Sequence, residues 1–154
     1  MQSPKYPFQT LTQAIDANMA LGHHWFDYDT LAFFDGMVHG SLDVRTQCFV
    51  SSERFKPMRG PAHARRYTVR KMREDGSVTT VGEFQAYATK AQAEAAIANL
   101  PSARIVVKVS CSDGNHWVTS INASLREAEA YFMGHRYERA DETIGAPVNR
   151  VELA

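Results

Sequence analysis

Residues 67–100, YTVRKMREDGSVTTVGEFQAYATKAQAEAAIANL, decide the fold class that the sequence indicates. Two β-branched and aromatic runs, at 67–71 and 78–87, flank Asp75-Gly76, a dipeptide typical of hairpin turns. Thr89, with Gln92 three residues later, has the form of a capping box and predicts a helix that Pro101 ends. The inner face of this helix is predicted to consist of Ala93, Ala96, Ile97 and Leu100. The stretch therefore predicts strand, turn, strand and capped helix.

The same plan recurs after Pro101. Predicted strands at 104–110 and 116–121 flank Asp113-Gly114, and Ser124 with Glu127 forms a capping box. The inner face of the second helix is predicted to consist of Leu125, Ala128, Tyr131 and Phe132. A short strand at 135–139 and an edge strand at 148–153 are predicted to follow. We interpret residues 1–102 and 103–154 as two units, either separate or part of one continuous domain.

The N-terminal part carries helical signals. Thr10 and Gln13 predict a capped helix over 11–21, and Asp27 predicts the start of a short helix that ends at Gly36. Residues 37–46 lack a period and are predicted to be a connection, 47–52 a strand, and the proline-containing stretch 55–64 a loop. The predicted class is α+β, with antiparallel sheets, helices packed on one face, and two ββα-type units preceded by an N-terminal helical segment.

Composition is that of an ordinary globular protein. Among 154 residues, 44% are hydrophobic and 22% are charged, which suggests neither a disordered nor a fibrous chain. The sequence has no apolar run of about 18 residues, and its N-terminus lacks the apolar core of a signal peptide, so we expect a cytoplasmic protein without a membrane partner. Cys48 and Cys111 are expected to be reduced structural thiols, and no CxxC pair supports a metal or any other cofactor.

Charge is unevenly distributed along the chain. The 17 basic and 17 acidic side chains balance, but residues 45–73 contain nine Lys or Arg and one acid, Glu53. A binding surface for phosphates or an acidic protein is predicted from five of these residues, Arg54, Lys56, Arg59, Arg66 and Arg70. The alternative is that acidic groups of the same molecule neutralise them.

Three short clusters contain residue types that could carry chemistry. His23 and His24, near several aspartates, could supply a metal ligand or a general base, but their spacing matches no metal motif and favours a structural role. Cys111 and His116 flank a hairpin turn, where packing is the more common role of a cysteine. Residues 51–53, Ser-Ser-Glu, lack the glycines of a phosphate-binding loop. We therefore expect no catalytic residue and no metal site.

Four short sequence motifs resemble motifs of known proteins. These are HHWFDYDTLAFF at 23–34, CFVSSE at 48–53, RRYTVR at 65–70 and DGSVTTVGEFQAYAT at 75–89. They resemble a group of small uncharacterised proteins encoded by phages, prophages and plasmids, over about residues 23–100. Residues 117–135 resemble another small phage-encoded type. The resemblance implies an accessory protein of a mobile element, and such proteins often inhibit host defence complexes or modulate host enzymes.

The leading functional expectation is a non-catalytic protein that binds and occludes a host protein or nucleoprotein complex, as an anti-CRISPR-like inhibitor does. The alternative is direct nucleic-acid binding through the basic 45–73 segment, which would weaken steeply as salt rises. An enzyme built around His23 and His24 is the third and least favoured reading. The sequence leaves the identity of the partner and the oligomeric state open.

Overall fold

The structure, a computed structural model, describes residues 5–22, 25–26 and 35–154. It divides into two compact units, residues 1–100 and 101–154. The described residues contain helices and two antiparallel sheets, which confirms the predicted α+β class. None of the described helices has the length and apolar character needed to cross a bilayer. The helix predicted to begin at Asp27, and the His23-His24 pair, lie outside the described residues.

The first unit is built on a four-stranded antiparallel sheet with the strand order β1-β2-β3-β4. Its elements, in chain order, are α1 (Leu11–Ala20), β1 (Met37–Asp43), β2 (Cys48–Glu53), β3 (Arg66–Met72), β4 (Val78–Val81) and α2 (Lys90–Ala98). The prediction of a connection over 37–46 is wrong for residues 37–43, because β1 pairs with β2 there. The strand predicted over 78–87 is shorter, since the chain turns after Val81 at Gly82, where φ is +74°.

Both faces of this sheet are covered, so in the first unit helices pack on two faces and not on one face as expected. Side chains alternate between the faces along each strand, so Cys48, Val50 and Val69 pack against α2, with Ala93 and Ile97 at the contact. The opposite face carries Phe49 and Met72, which pack against α1 and the aromatic residues Phe8, Trp25 and Phe26. Strand β2 is buried over its whole length, polar residues included.

The turn between β3 and β4 lies directly against α1. Gly76 has φ +93°, and a Cβ at that position would stand 2.8 Å from the carbonyl oxygen of Ala17. Only glycine combines this backbone conformation with so close an approach. The side chain of Asn18 donates a hydrogen bond to the Gly76 carbonyl oxygen at 3.0 Å, which fastens the turn to the helix.

The second unit is a three-stranded antiparallel sheet with one helix. The elements are β5 (Arg104–Cys111), β6 (His116–Asn122), α3 (Leu125–Phe132) and β7 (Val148–Leu153), and the sheet order is β6-β5-β7. Ile105, Val107 and Val109 of β5 form the core with Ala128 and Phe132 of α3. The edge position predicted for the last strand is confirmed.

Two details of the second unit differ from expectation. Tyr131 does not face the core, because Ala128 and Phe132 fill the inner face of the short helix and leave Tyr131 60% exposed. The strand predicted over 135–139 is absent from this described region. Instead, Glu138 forms an isolated bridge with Ile144.

The helix starts follow the sequence signals. The Thr10 and Thr89 side chains accept hydrogen bonds from the backbone N–H groups of Gln13 and Gln92. A full capping box is present at Ser124, where the Glu127 side chain also accepts from the Ser124 backbone N–H at 3.1 Å. These side chains satisfy donors that the first helical turn leaves unpaired, which fixes where each helix begins.

Candidate binding surface: the basic loop

One carboxylate, that of Asp35, holds three cations of the basic segment. Arg54 Nε contacts Asp35 Oδ2, Arg65 Nη2 lies 2.8 Å from the same oxygen, and Lys56 Nζ lies 3.5 Å from Oδ1. The hydrogen bond from Arg54 lowers the pKa of Asp35, and the charges of the three cations lower it further against the effect of partial burial. Arg54 precedes the loop 55–64 and Arg65 follows it, so Asp35 ties together the two arms of this loop. We call this group the Asp35 clamp.

The loop 55–64 projects from the clamp into solvent. Above its base, the His63 backbone N–H donates to the Phe55 carbonyl oxygen at 2.8 Å, and the two rings meet edge to face at 5.1 Å. Met58 is fully exposed and Phe55 is half exposed. Arg59 is exposed and makes no ion pair with any residue that the structure describes. The loop tip therefore offers a thioether and a guanidinium side by side.

Arg70 is enclosed and is not part of an accessible surface. Its Nη2 lies 3.0 Å from Glu53 Oε1, and the two side chains are 12% and 6% exposed. Its guanidinium carbon lies 5.2 Å from the centre of the Trp25 ring and 5.4 Å from that of Phe84, so the cation also interacts with two aromatic rings. The charge of Arg70 therefore interacts with groups of the first unit itself.

Hydroxyl groups complete the surroundings of this ion pair. Ser51 and Thr68 donate to the Glu53 carboxylate at 2.6 and 2.8 Å. Arg70 donates to Ser51 Oγ at 3.0 Å and to Thr80 Oγ1 at 2.5 Å. A buried ion pair needs such partners to offset the loss of hydration, and here they are present. We call these five residues the Glu53 network.

Two further arginines of the basic segment bind backbone carbonyl groups. Arg66 donates to the carbonyl oxygens of Gln85 and Ala86, at 2.7 and 3.1 Å, while staying exposed. Arg45 donates to the carbonyl oxygen of Leu100 at 2.7 Å, next to the C-terminal end of α2. A cation at this end of a helix satisfies carbonyl groups that lack a helical partner and interacts favourably with the helix dipole.

The five basic residues singled out from the sequence thus have different surroundings. Arg54 and Lys56 belong to the Asp35 clamp, and Arg59 lies exposed at the loop tip. Arg66 donates to backbone carbonyl groups, and Arg70 is largely enclosed in the Glu53 network. Among the residues that the structure describes, three cations share the single charge of Asp35 and Arg59 has no ion-pair partner, so the described acidic groups do not neutralise all of these charges. An accessible positive surface remains around the loop 55–64, without Arg70.

Sequence reasoning missed a serine–histidine contact. His39 Nε2 lies 2.5 Å from Ser52 Oγ, and Arg65 Nη1 donates to the same hydroxyl at 2.9 Å. Burial lowers the pKa of His39, and the nearby charges of Lys90 and Arg65 lower it further. Ser52 has no solvent exposure, so its hydroxyl is closed to a substrate and links β1 to β2 and to the clamp. The contact was missed because residues 37–46 were predicted to be a connection.

The other clusters considered from the sequence give no reactive arrangement among the described residues. Cys111 and His116 form no hydrogen bond with each other, and His116 Nδ1 lies 3.3 Å from the Gly114 carbonyl oxygen. Burial raises the pKa of the Cys48 thiol, which favours the unreactive form. No group of three or more potential metal ligands occurs in the part of the chain that the structure describes.

Two cavities accompany these features. A cavity of about 350 Å³ lies between β1, β2 and α2, with His39 and Glu94 at its wall. A groove of about 690 Å³ in the second unit, called here the aromatic groove, has four aromatic residues among those that line it, Trp117, Tyr131, Phe132 and Tyr137. Trp117 and Tyr137 meet edge to face at 5.3 Å. The groove lies over the inner face of β6.

Comparison with known proteins gives one match. Residues 10–98 match a family of unknown function (DUF7447), and this span is more than half of the chain, so the chain belongs to that family. No curated protein and no solved structure matches the chain. The matched span contains the Asp35 clamp, the loop 55–64 and the Glu53 network, whereas the second unit lies beyond it.

Proposed function

We propose that this member of the DUF7447 family is a non-catalytic binding protein that docks its loop 55–64 onto an acidic surface of a host protein or nucleoprotein complex. In this proposal it is an accessory protein of a phage or another mobile element, and it inhibits a host defence complex in the host cytoplasm by occlusion. The proposed origin of the protein and the class of its target rest on the four sequence motifs quoted above. The docking element rests on one observation: fully exposed Met58 stands beside Arg59, which has no ion-pair partner among the described residues, on a loop whose two arms are clamped.

The charge around the loop supports an acidic partner. Arg54, Lys56 and Arg65 share the one carboxylate of Asp35, so this group alone keeps two positive charges in excess. Arg59 adds a further charge at the tip. Positive potential of this kind accelerates encounter with an acidic surface and orients it, more than it adds to the final affinity.

The apolar tip supports a protein surface over bare nucleic acid. A phosphate backbone is contacted by cations and hydrogen-bond donors, and a thioether is neither. Met side chains instead adapt to irregular apolar pockets of protein partners. Arginine is enriched among the residues that dominate binding energy at protein interfaces, and charged groups there surround an apolar centre. Met58 with Arg59 has this composition, and half-exposed Phe55 extends the apolar area toward the base of the loop.

The construction of the loop supports binding with little loss of conformational freedom. Asp35 holds both arms, and the hydrogen bond between His63 and Phe55 narrows the base. Pro57 and Pro61 flank the tip, and proline restricts the unbound chain. A preorganised loop pays less entropy when it binds, which strengthens its affinity.

Affinity capture from a lysate of the host, with a matched set of variants, tests the proposal. The wild-type chain and the double variant Met58→Ser/Arg59→Glu are compared by quantitative mass spectrometry. Arg126→Glu serves as the control, because it makes the same charge change on the second unit. We expect a partner that the wild type and the control both retain and the double variant loses. A partner set that is the same for all three proteins would contradict the proposal.

The salt dependence of binding distinguishes direct nucleic-acid binding from this proposal. If phosphates are the target, binding to a duplex or single strand should weaken by orders of magnitude between about 50 and about 200 mM salt. Met58→Ser should then have no effect, because phosphate contacts need only the cations. For a protein partner we expect Met58→Ser to weaken binding at every salt concentration.

A further inference from the structure

We infer that two copies of this chain associate by antiparallel pairing of their β6 strands, which joins the two sheets of the second units into one six-stranded sheet. The inference does not depend on the function proposed for the loop 55–64. It rests on the state of the sheet edges, on the order of side chains along β6, and on the half-exposed inner face of that strand.

Free sheet edges attract further strands unless charge, proline, a bulge or short length protects them. Three of the four edges in the described sheets carry such protection. Strand β1 has a register shift between His39 and Asp43, and β4 has only four residues. Strand β7 carries Arg150 and Glu152 and has a register shift at its start.

Strand β6 has none of these protective features. It is seven residues long, reads HWVTSIN, and contains no Lys, Arg, Asp, Glu or Pro. Its register with β5 runs without a break from His116 to Asn122. A long, regular and uncharged edge of this kind is a template for another strand.

The order of side chains along β6 allows this strand to pair with β6 of a second copy of the chain. Antiparallel pairing about a twofold axis at Thr119 places Thr119 opposite Thr119, and Trp117 opposite Ile121, on the inner face. On the outer face it places Val118 opposite Ser120. Aromatic residues opposite β-branched residues, and threonine opposite threonine, are favourable cross-strand pairs. No like charges meet in this register.

The inner face of β6 gains cover from such pairing. On β5 the inward side chains are buried, but Trp117, Thr119 and Ile121 on β6 are only partly buried, because α3 packs mainly over β5 and β7. These three residues line the aromatic groove. A second β6 strand adds an equivalent row of side chains beside them.

Twofold pairing also explains why assembly would stop at two chains. The pairing uses the β6 edge of each copy, and the joined sheet then ends on both sides in β7. The charges of Arg150 and Glu152 oppose addition of a further strand there. A second copy of the chain therefore pairs with the open β6 edge, and only the protected β7 edges remain exposed.

Sedimentation of the full chain tests the inference. We expect a concentration-dependent species of twice the 17.2 kDa chain mass. Thr119→Lys and Thr119→Glu should each weaken the association, because like charges then meet at the axis, and an equimolar mixture of the two should restore it as a heterodimer. A chain that stays monomeric up to its solubility limit would overturn the inference. So would dimers that both variants leave unchanged, provided that circular dichroism shows all variants folded.

Disulfide trapping tests the register without relying on weakened association. In a Cys111→Ser background, Thr119→Cys places two thiols opposite each other at the axis, within reach of a disulfide, and should crosslink upon oxidation. Ser120→Cys is the matched control, since its partner position is Val118 and the two thiols are out of register. Equal crosslinking of both variants, or none of Thr119→Cys, would contradict pairing centred on Thr119.

Discussion

Replacing Glu53 by glutamine removes the counter-charge of a buried guanidinium while keeping the shape of the side chain. Arg70 is 12% exposed and Glu53 is 6% exposed, so water cannot replace the lost charge. Breaking a buried pair by removing one partner costs about 3–5 kcal/mol. Arg70 keeps its hydrogen bonds to Ser51 and Thr80 and its contacts with two rings, so we expect the lower end, about 3 kcal/mol.

The reverse substitution and the double variant separate charge from packing. Arg70→Met leaves the Glu53 carboxylate with two hydroxyl donors, and we again expect a loss of about 3 kcal/mol. In the double variant Glu53→Gln/Arg70→Met no buried charge remains, and the loss should be about 2 kcal/mol from weakened hydrogen bonds. The coupling free energy between the two sites is therefore expected to be about 4 kcal/mol.

Urea unfolding followed by Trp25 fluorescence measures these losses in the first unit. A Trp117→Phe background removes the signal of the second unit, and Trp25 lies beside both Arg70 and Phe49. The midpoint should fall while the slope with urea stays unchanged, because the surface exposed on unfolding is the same. In a thermal scan, Glu53→Gln should lower Tm by about 6–12 °C, at about 2–4 °C per kcal/mol for a chain of this size.

An exposed ion pair provides the control. Lys90 and Glu94 lie 3.4 Å apart on one face of α2, with side chains 45% and 54% exposed. Glu94→Gln should therefore change stability by no more than about 0.5 kcal/mol. If Glu53→Gln and Arg70→Met each cost less than about 1 kcal/mol, or if their costs simply add, the Glu53 network does not hold a desolvated charge pair and the reasoning is refuted.

Three further predictions concern the Asp35 clamp, His39 and the capping box at Ser124. Asp35→Asn should increase the rate of tryptic cleavage after Arg59 severalfold, because both arms of the loop lose their shared partner, and an unchanged cleavage rate would contradict the clamp. Because the native pKa of His39 lies below 6.5, the stability that neutral His39 contributes is present above about pH 6.5 and is lost as the pH falls through the lowered native pKa. His39→Gln should flatten this part of the stability profile, and a parallel profile would contradict the assignment. Ser124→Ala removes one half of the capping box with Glu127 and should lower the stability of the second unit by about 1 kcal/mol, while no change in its thermal unfolding would contradict a stabilising cap.

Much of the fold could be predicted from the sequence because its signals are local. The caps at Thr10, Thr89 and Ser124 act within three residues, and the Asp-Gly turns set the two central hairpins. Strand β1 escaped prediction because its burial does not alternate and Gly40 adopts φ +71° within it. An edge strand with a register shift lacks the period of two on which such predictions depend.

The candidate site was only partly predictable because its contacts join distant parts of the chain. The basic segment, and the loop within it, are visible as a charge run with two prolines. Asp35, however, lies 19 residues from Arg54 and 30 from Arg65, and no local pattern links them. Burial of Arg70 depends on Trp25 and Phe84, which approach it only in the folded chain. A count of charged residues along the sequence therefore identified the basic segment but not which of its side chains remain accessible.

Photocrosslinking from the tip of the loop tests the central claim most directly. A photoreactive phenylalanine analogue at position 58 is compared with the same group at Glu94, an exposed position on α2, in a lysate of the proposed host cell. We expect a discrete protein adduct from position 58, absent from position 94 and reduced by Arg59→Glu. Adducts to nucleic acid alone, or no adduct that is specific to position 58, would contradict the proposal that the loop 55–64 docks onto a protein.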